Sequence, residues 1–235
     1  PAGFDNQPNG LVDSSTFMAD RGKFEEHEAI GDGLGPIYNA ASCLDCHANP
    51  VVGGISQVRE LRAGHHDASG NFVAATATLA GGTVSIPNRS LINQRAICPA
   101  VDSIVVNGVQ QTFNFPQTDG VERISTAETV QTLRTSLNTL GDGFVESIAD
   151  QTLLDLAASQ CAHSRGVICG QAIHIPVLEA NGALAVGRFG WKDQHASLLS
   201  FSSDAYLNEM GISNRLPPND KDVTNVCKVT TDPED

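Results

Sequence analysis

Cys43-Leu44-Asp45-Cys46-His47 places two thiols and an imidazole in one short stretch. Two thiols on one helical turn can both reach the vinyl groups of a haem. The adjacent histidine then offers a nitrogen to the iron, which is the attachment pattern of a c-type haem. In a chain of this composition roughly 0.005 accidental matches are expected. A structural zinc site asks for four ligands, usually with a second pair at matching spacing, and no second C-x-x-C is present. A thioredoxin-like dithiol asks for a βαβ context, and the chain has no such pattern. The residues therefore predict one haem, bound through Cys43 and Cys46 with His47 as proximal ligand.

The opposite side of the iron has several candidates. His65, His66, His195 and Met210 are the candidate sixth ligands, and His27, His163 and His174 complete the histidines. Methionine opposite histidine raises an iron's potential, although buried methionine is more commonly core filler. Asp45, inside the motif, reads as a solvated helix position.

Four cysteines remain: Cys98, Cys161, Cys169 and Cys227. An even remainder suits two disulfides in an oxidising compartment, so the chain is expected to be periplasmic or otherwise exported. Cys161 and Cys169 enclose a short loop that can close locally, which leaves Cys98 and Cys227 for a long-range bridge. Four cysteines allow three pairings, and spacing alone does not choose among them. The formal net charge is −13. That argues against nucleic acid, which needs a basic footprint, and it suits a basic redox partner protein. No apolar run approaches the roughly 18 residues of a membrane span.

The elements that must position these groups read as follows. Asp13-Ser14-Ser15 caps a helix carrying Phe17, Arg21, Phe24 and Glu28. The segment Gly31–Pro36 ends it in a loop. A short helix carries Cys43–His47, residues 48–70 read as irregular, and 71–116 read as strand and turn. Within the latter, 103–113 is a hairpin candidate around Asn107-Gly108. Helical patterns follow near 126–138, at 150–161 and at 195–209. The expected fold is mainly α: a cytochrome c-like haem domain, 1–235, with a β-rich insertion at about 71–116.

Ordered blocks extend the motif. Gly33-Leu34-Gly35-Pro36-Ile37-Tyr38-Asn39 leads into Ser42–Pro50, and Leu133–Asn138 and Gly141–Ile148 follow. Gly187-Arg188-Phe189-Gly190-Trp191-Lys192 and Asn208-Glu209-Met210-Gly211-Ile212 come last. Together, over about 30–213, these resemble the bacterial di-haem oxidoreductases sometimes labelled putative thiol oxidoreductases, relatives of the di-haem cytochrome c peroxidases. The resemblance implies a two-domain enzyme with one haem per domain, peroxide reacting at the N-terminal haem. It assigns Trp191 to electron transfer between haems and Glu209 to acid–base assistance of O–O cleavage, while Arg188 and Lys192 flank Trp191 and could hold a haem propionate. It places the resting sixth ligand on a loop such as that of His65 and His66, with His195 as the rival. The chain departs from the family in lacking a second C-x-x-C-H, so the partner is expected to be a second haem domain or chain. The expected cofactors are one covalent haem c per chain and calcium. A non-catalytic electron-transfer cytochrome c with a six-coordinate haem is the rival expectation.

Overall fold

The computed structural model describes residues 4–8, 10–79, 82–85, 89–97, 104–106, 109–111 and 121–219. Its first element, α1 (Ser14–Glu25), starts where the sequence predicts. The Asp13 carboxylate accepts from Thr16 N at 2.9 Å and from the Ser15 hydroxyl at 2.5 Å. These bonds, Ser15 first, pull the Asp13 carboxyl down to about 2. The helix α2 (Cys43–Cys46) is a single turn, capped by the Ser42 hydroxyl accepting from Leu44 N.

Strands dominate the next ninety residues. In order they are β1 (Ile37–Tyr38), β2 (Arg59–His66), β3 (Phe72–Ala74), β4 (Thr76–Leu79), β5 (Gly82–Ser85), β6 (Leu91–Ile92) and β7 (Arg95–Ala96). After these come β8 (Ile104–Val106), β9 (Val109–Gln111), β10 (Arg123–Ile124) and β11 (Val130–Thr135). The hairpin candidate is present: β8 and β9 pair antiparallel, with Val106 opposite Val109, while Asn107 and Gly108 lie outside the described residues. The helices α3 (Asp142–Glu146) and α4 (Asp150–His163) follow, then the ribbon β12 (His174–Pro176) with β13 (Leu184–Val186). The last helix, α5 (Leu198–Ala205), runs into a π-helical turn, Tyr206–Met210.

This corrects the fold class. The described residues are 30% helix and 20% strand, in several small sheets, and do not form a mainly α cytochrome fold. Two misread segments account for much of the difference. Residues 59–66 read as irregular because charges, Gly64 and two histidines interrupt any apolar run, yet they form the central strand β2. It pairs antiparallel with β11, β3 and β6. Residues 126–138 read as helical because Val130, Leu133 and Leu137 fall at helical spacing. The β-branched Val130, Thr132 and Thr135 suit a strand better, and pairing with β2 from Val130↔Gly64 to Thr135↔Arg59 decides it.

Side chains alternate across β2. Leu61 and Ala63 pack with Ala75, Ile92 and Ile124, which leaves Glu60 and Arg62 on the opposite face. A second cluster gathers Leu34, Met210 and Ile212, with Tyr38, Cys43 and Tyr206 against it. The second cluster fastens residues 34–43 to 206–212. Gly35 N donates to Met210 O at 2.9 Å, and Asn39 N and Ala40 N both donate to Glu209 O, at 2.7 and 3.1 Å. The backbones touch: a Cβ on Gly35 would lie 2.1 Å from Gly211 O.

Candidate active site

The π-turn carries Glu209 between these clamps. Such turns widen the helix by one residue and recur at functional sites. Here the turn aims Glu209 at the polar face of β2. Arg62 Nη2 lies 4.0 Å from Glu209 Oε1, and Arg62 Nε donates to Glu60 Oε2 at 3.0 Å. Glu209 Oε2 and Asn39 Nδ2 are both buried without a hydrogen-bond partner among the described residues. Burial, then the charge of Glu60, raises the Glu209 carboxyl well above the usual glutamate range. Arg62 and Asn39 pull the other way without cancelling this. Glu209 thus holds its proton more tightly than an ordinary glutamate. Its side chain retains 22% exposure, enough for solvent contact at one edge.

A buried network holds this turn against β6. Arg89 Nη1 donates to Glu122 Oε2 at 2.9 Å and to Asn93 Oδ1 at 2.8 Å. Asn93 N donates to the same carboxylate at 2.7 Å, and Asn93 Nδ2 donates to Asn208 O at 3.1 Å. The residue before Glu209 is therefore tied to a neutralised, buried ion pair.

Cys43 and Cys46 lie on α2 as free thiols, Cys43 half-buried and Cys46 buried. Burial, then the charges of Glu209 and Glu60, pushes the Cys46 thiol up to about 12, and burial likewise raises Cys43. Both are thiols and not thiolates at neutral pH, so neither is a ready nucleophile. Burial also lowers the His47 pKa, which keeps the ring neutral.

The cofactor expectation is corrected by what surrounds these residues. Among the described residues no group of three or more His, Cys, Asp or Glu side chains comes together to hold a metal ion. The His47 imidazole donates from Nδ1 to Gly54 O at 3.0 Å. Neither the covalent haem c nor the calcium is supported by the described residues.

The expected sixth ligands are scattered. Met210 is core filler at 4% exposure. His65 Nδ1 faces the buried Glu128 carboxylate at 2.8 Å, and His66 stands edge-on to Phe72. His195 lies 3.3 Å from Asp204 and against Phe201. Asp45 is not merely solvated, since it accepts from Ala41 N at 3.0 Å. Arg188 is structural, bonded to Asp150 and to the carbonyl of Ile148. Trp191 is 52% exposed, and its Nε1 donates to Thr135 O at 3.2 Å. The Cys161–Cys169 disulfide is formed, whereas Cys98 and Cys227 lie outside the described residues. Among those residues no helix is long and apolar enough to cross a membrane.

Sequence reasoning reached Glu209 and missed Glu60, Arg62 and Asn39. The available signal was the alternation of charged Glu60 and Arg62 with apolar Leu61 and Ala63, a half-buried strand pattern. No family model, curated protein or solved structure matches the chain.

Proposed function

We propose that this chain is the acid–base domain of an exported, peroxide-reducing oxidoreductase, with Glu209 as its proton donor. The observation that carries the reading is the buried Oε2 of Glu209, unpartnered among the described residues, on a carboxyl whose pKa is raised by burial and by Glu60, with Arg62 beside it. Reduction of hydrogen peroxide takes two electrons and two protons and yields two water molecules. As the O–O bond breaks, the departing oxygen needs a proton, and a carboxyl whose pKa is raised by burial can give one. Arg62 then faces the carboxylate that remains, and the exposed edge of Glu209 takes a new proton from solvent.

The two electrons come from a redox partner, either a second domain or chain or a separate donor protein. The unreactive protonation state of Cys43 and Cys46 disfavours these thiols as the reductant. The ordered blocks ending in Glu209-Met210-Gly211 support the same assignment by resemblance. The Cys161–Cys169 bridge is consistent with an oxidising compartment.

The test is stopped-flow consumption of hydrogen peroxide by the full chain in the presence of its electron donor. Glu209→Gln keeps the shape and removes the acid, and the rate should fall by about 10²–10⁴. Equal rates for the two proteins, or a wild type inert with every donor tried, would sink the reading.

A further inference from the structure

A second site lies where the end of β11 meets the turn after β13. It is a concave surface of about 550 Å³ lined by Arg59, Thr132, Arg134, Thr135, Trp191 and Lys192. Three cations converge here in a chain whose net charge is −13. Among the described residues, none of the three has a carboxylate within ion-pair distance, although Arg21, Lys23, Arg62, Arg89 and Arg188 all do. Like charges brought together raise the energy of the folded chain unless an anion neutralises them.

The indole is held in place for a ligand. Its Nε1 is fixed by Thr135 O, and the Arg134 guanidinium lies 5.9 Å from the ring centroid. Half of Trp191 remains exposed, and an exposed, oriented aromatic surface next to unpaired cations is a recognition surface. Thr135 is paired with Arg59 across the ladder, so one cation stands beside the carbonyl that orients the indole. The volume falls in the range of small-molecule sites, roughly 300–1,000 Å³.

We propose that this pocket binds a small aromatic carboxylate, a planar ring bearing one or two carboxyl groups. The carboxylate accepts the paired N–H groups of a guanidinium, the geometry arginine recognises best. The ring lies against Trp191 and Leu133, and Lys192 neutralises a second carboxylate. Arg134 pairs across the ladder with Glu60 and Thr132 with Arg62, so the pocket borders the strands that carry the Glu209 partners, and its occupancy is read without peroxide chemistry.

Trp191 is the only tryptophan, so its emission reports occupancy directly. The full chain is titrated with benzene-1,4-dicarboxylate by calorimetry and by Trp191 fluorescence, in parallel with sulfate and with benzylamine. Saturable binding below about 1 mM, weakened by added salt and at least tenfold weaker in Arg134→Gln and in Lys192→Gln, is expected. Lys192 lies on an exposed turn, so its variant decides the matter if Arg134→Gln does not fold. Absence of binding, equal affinity in the variants, or benzylamine binding as well as the dicarboxylate overturns the proposal. Sulfate binding as tightly as the dicarboxylate also overturns it, since that describes an anion site without a role for the ring.

Discussion

Arg62 stands between two carboxylates and serves them unequally. Its Nε donates to Glu60 at 3.0 Å, while its nearest approach to Glu209 is 4.0 Å. The Glu209 carboxyl is raised well above the usual glutamate range, because burial and the neighbouring negative charge outweigh a cation held at that distance. The charge of Glu60 thus acts on a carboxyl far from it in sequence, and a raised carboxyl pKa is what general-acid chemistry requires.

That raised pKa makes stability depend on pH. A carboxyl raised in the folded state binds its proton more tightly there than when unfolded. Stability then falls as pH climbs from 4.5, the ordinary glutamate value, through the raised Glu209 value, and it is unaffected below 4.5. Glu209→Gln, neutral throughout, escapes this fall. Thermal midpoints of wild type and variant, compared from about pH 4 to about pH 9, should coincide at the acid end and diverge in favour of the variant towards the alkaline end. Parallel curves would remove the basis for a raised Glu209 pKa.

Removing Arg62 leaves Glu60 without its partner. The Arg62 and Glu60 side chains retain 21% and 17% exposure. The loss should therefore sit below the roughly 3–5 kcal/mol of a fully buried broken pair, at about 2–3 kcal/mol for Arg62→Gln. Adding Glu60→Gln should restore much of it. Urea unfolding of the single and double variants measures both, and an additive double variant would contradict the coupling.

Gly211 closes the π-turn with φ +73°, and a Cβ there would lie 2.4 Å from Ile37 O. Alanine faces both the left-handed penalty and a backbone collision. Gly211→Ala should cost at least about 2 kcal/mol and should also slow peroxide reduction, because the clamp on Glu209 O shifts with it. A variant of unchanged stability would show that the crossing of 35–40 over 209–211 is loose.

Cys161–Cys169 closes a loop at the end of α4, with a sequence separation of 8. Chain-entropy arguments put its contribution at about 2–3 kcal/mol. The double Cys→Ser variant should lose that amount from the end of α4, and faster amide exchange at 158–169 should accompany it. Exchange unchanged there, with global stability intact, would mean that the helix end holds without the bridge.

Local signals were legible in the residues alone. Asp13 announces α1 because a short carboxylate reaches the free amides of the first turn. The Cys161–Cys169 spacing announces a bridge because a short loop brings its ends together cheaply. The Asn-Gly step between two β-branched runs announces the β8–β9 hairpin. Glu209 drew attention through the ordered blocks around it. None of these requires knowing what lies across the fold.

The tertiary structure decided the rest. Whether 130–135 is helix or strand depends on β2 lying beside it, since Val130, Leu133 and Leu137 fit a helix and Val130, Thr132 and Thr135 fit a strand. The protonation of Glu209 depends on Glu60, 149 positions earlier in the chain, because a pKa answers to burial and neighbouring charge and not to sequence spacing. The expected cofactor failed at the same level: spacing sets Cys43, Cys46 and His47 side by side, but among the described residues no group of three or more His, Cys, Asp or Glu side chains comes together to hold a metal ion.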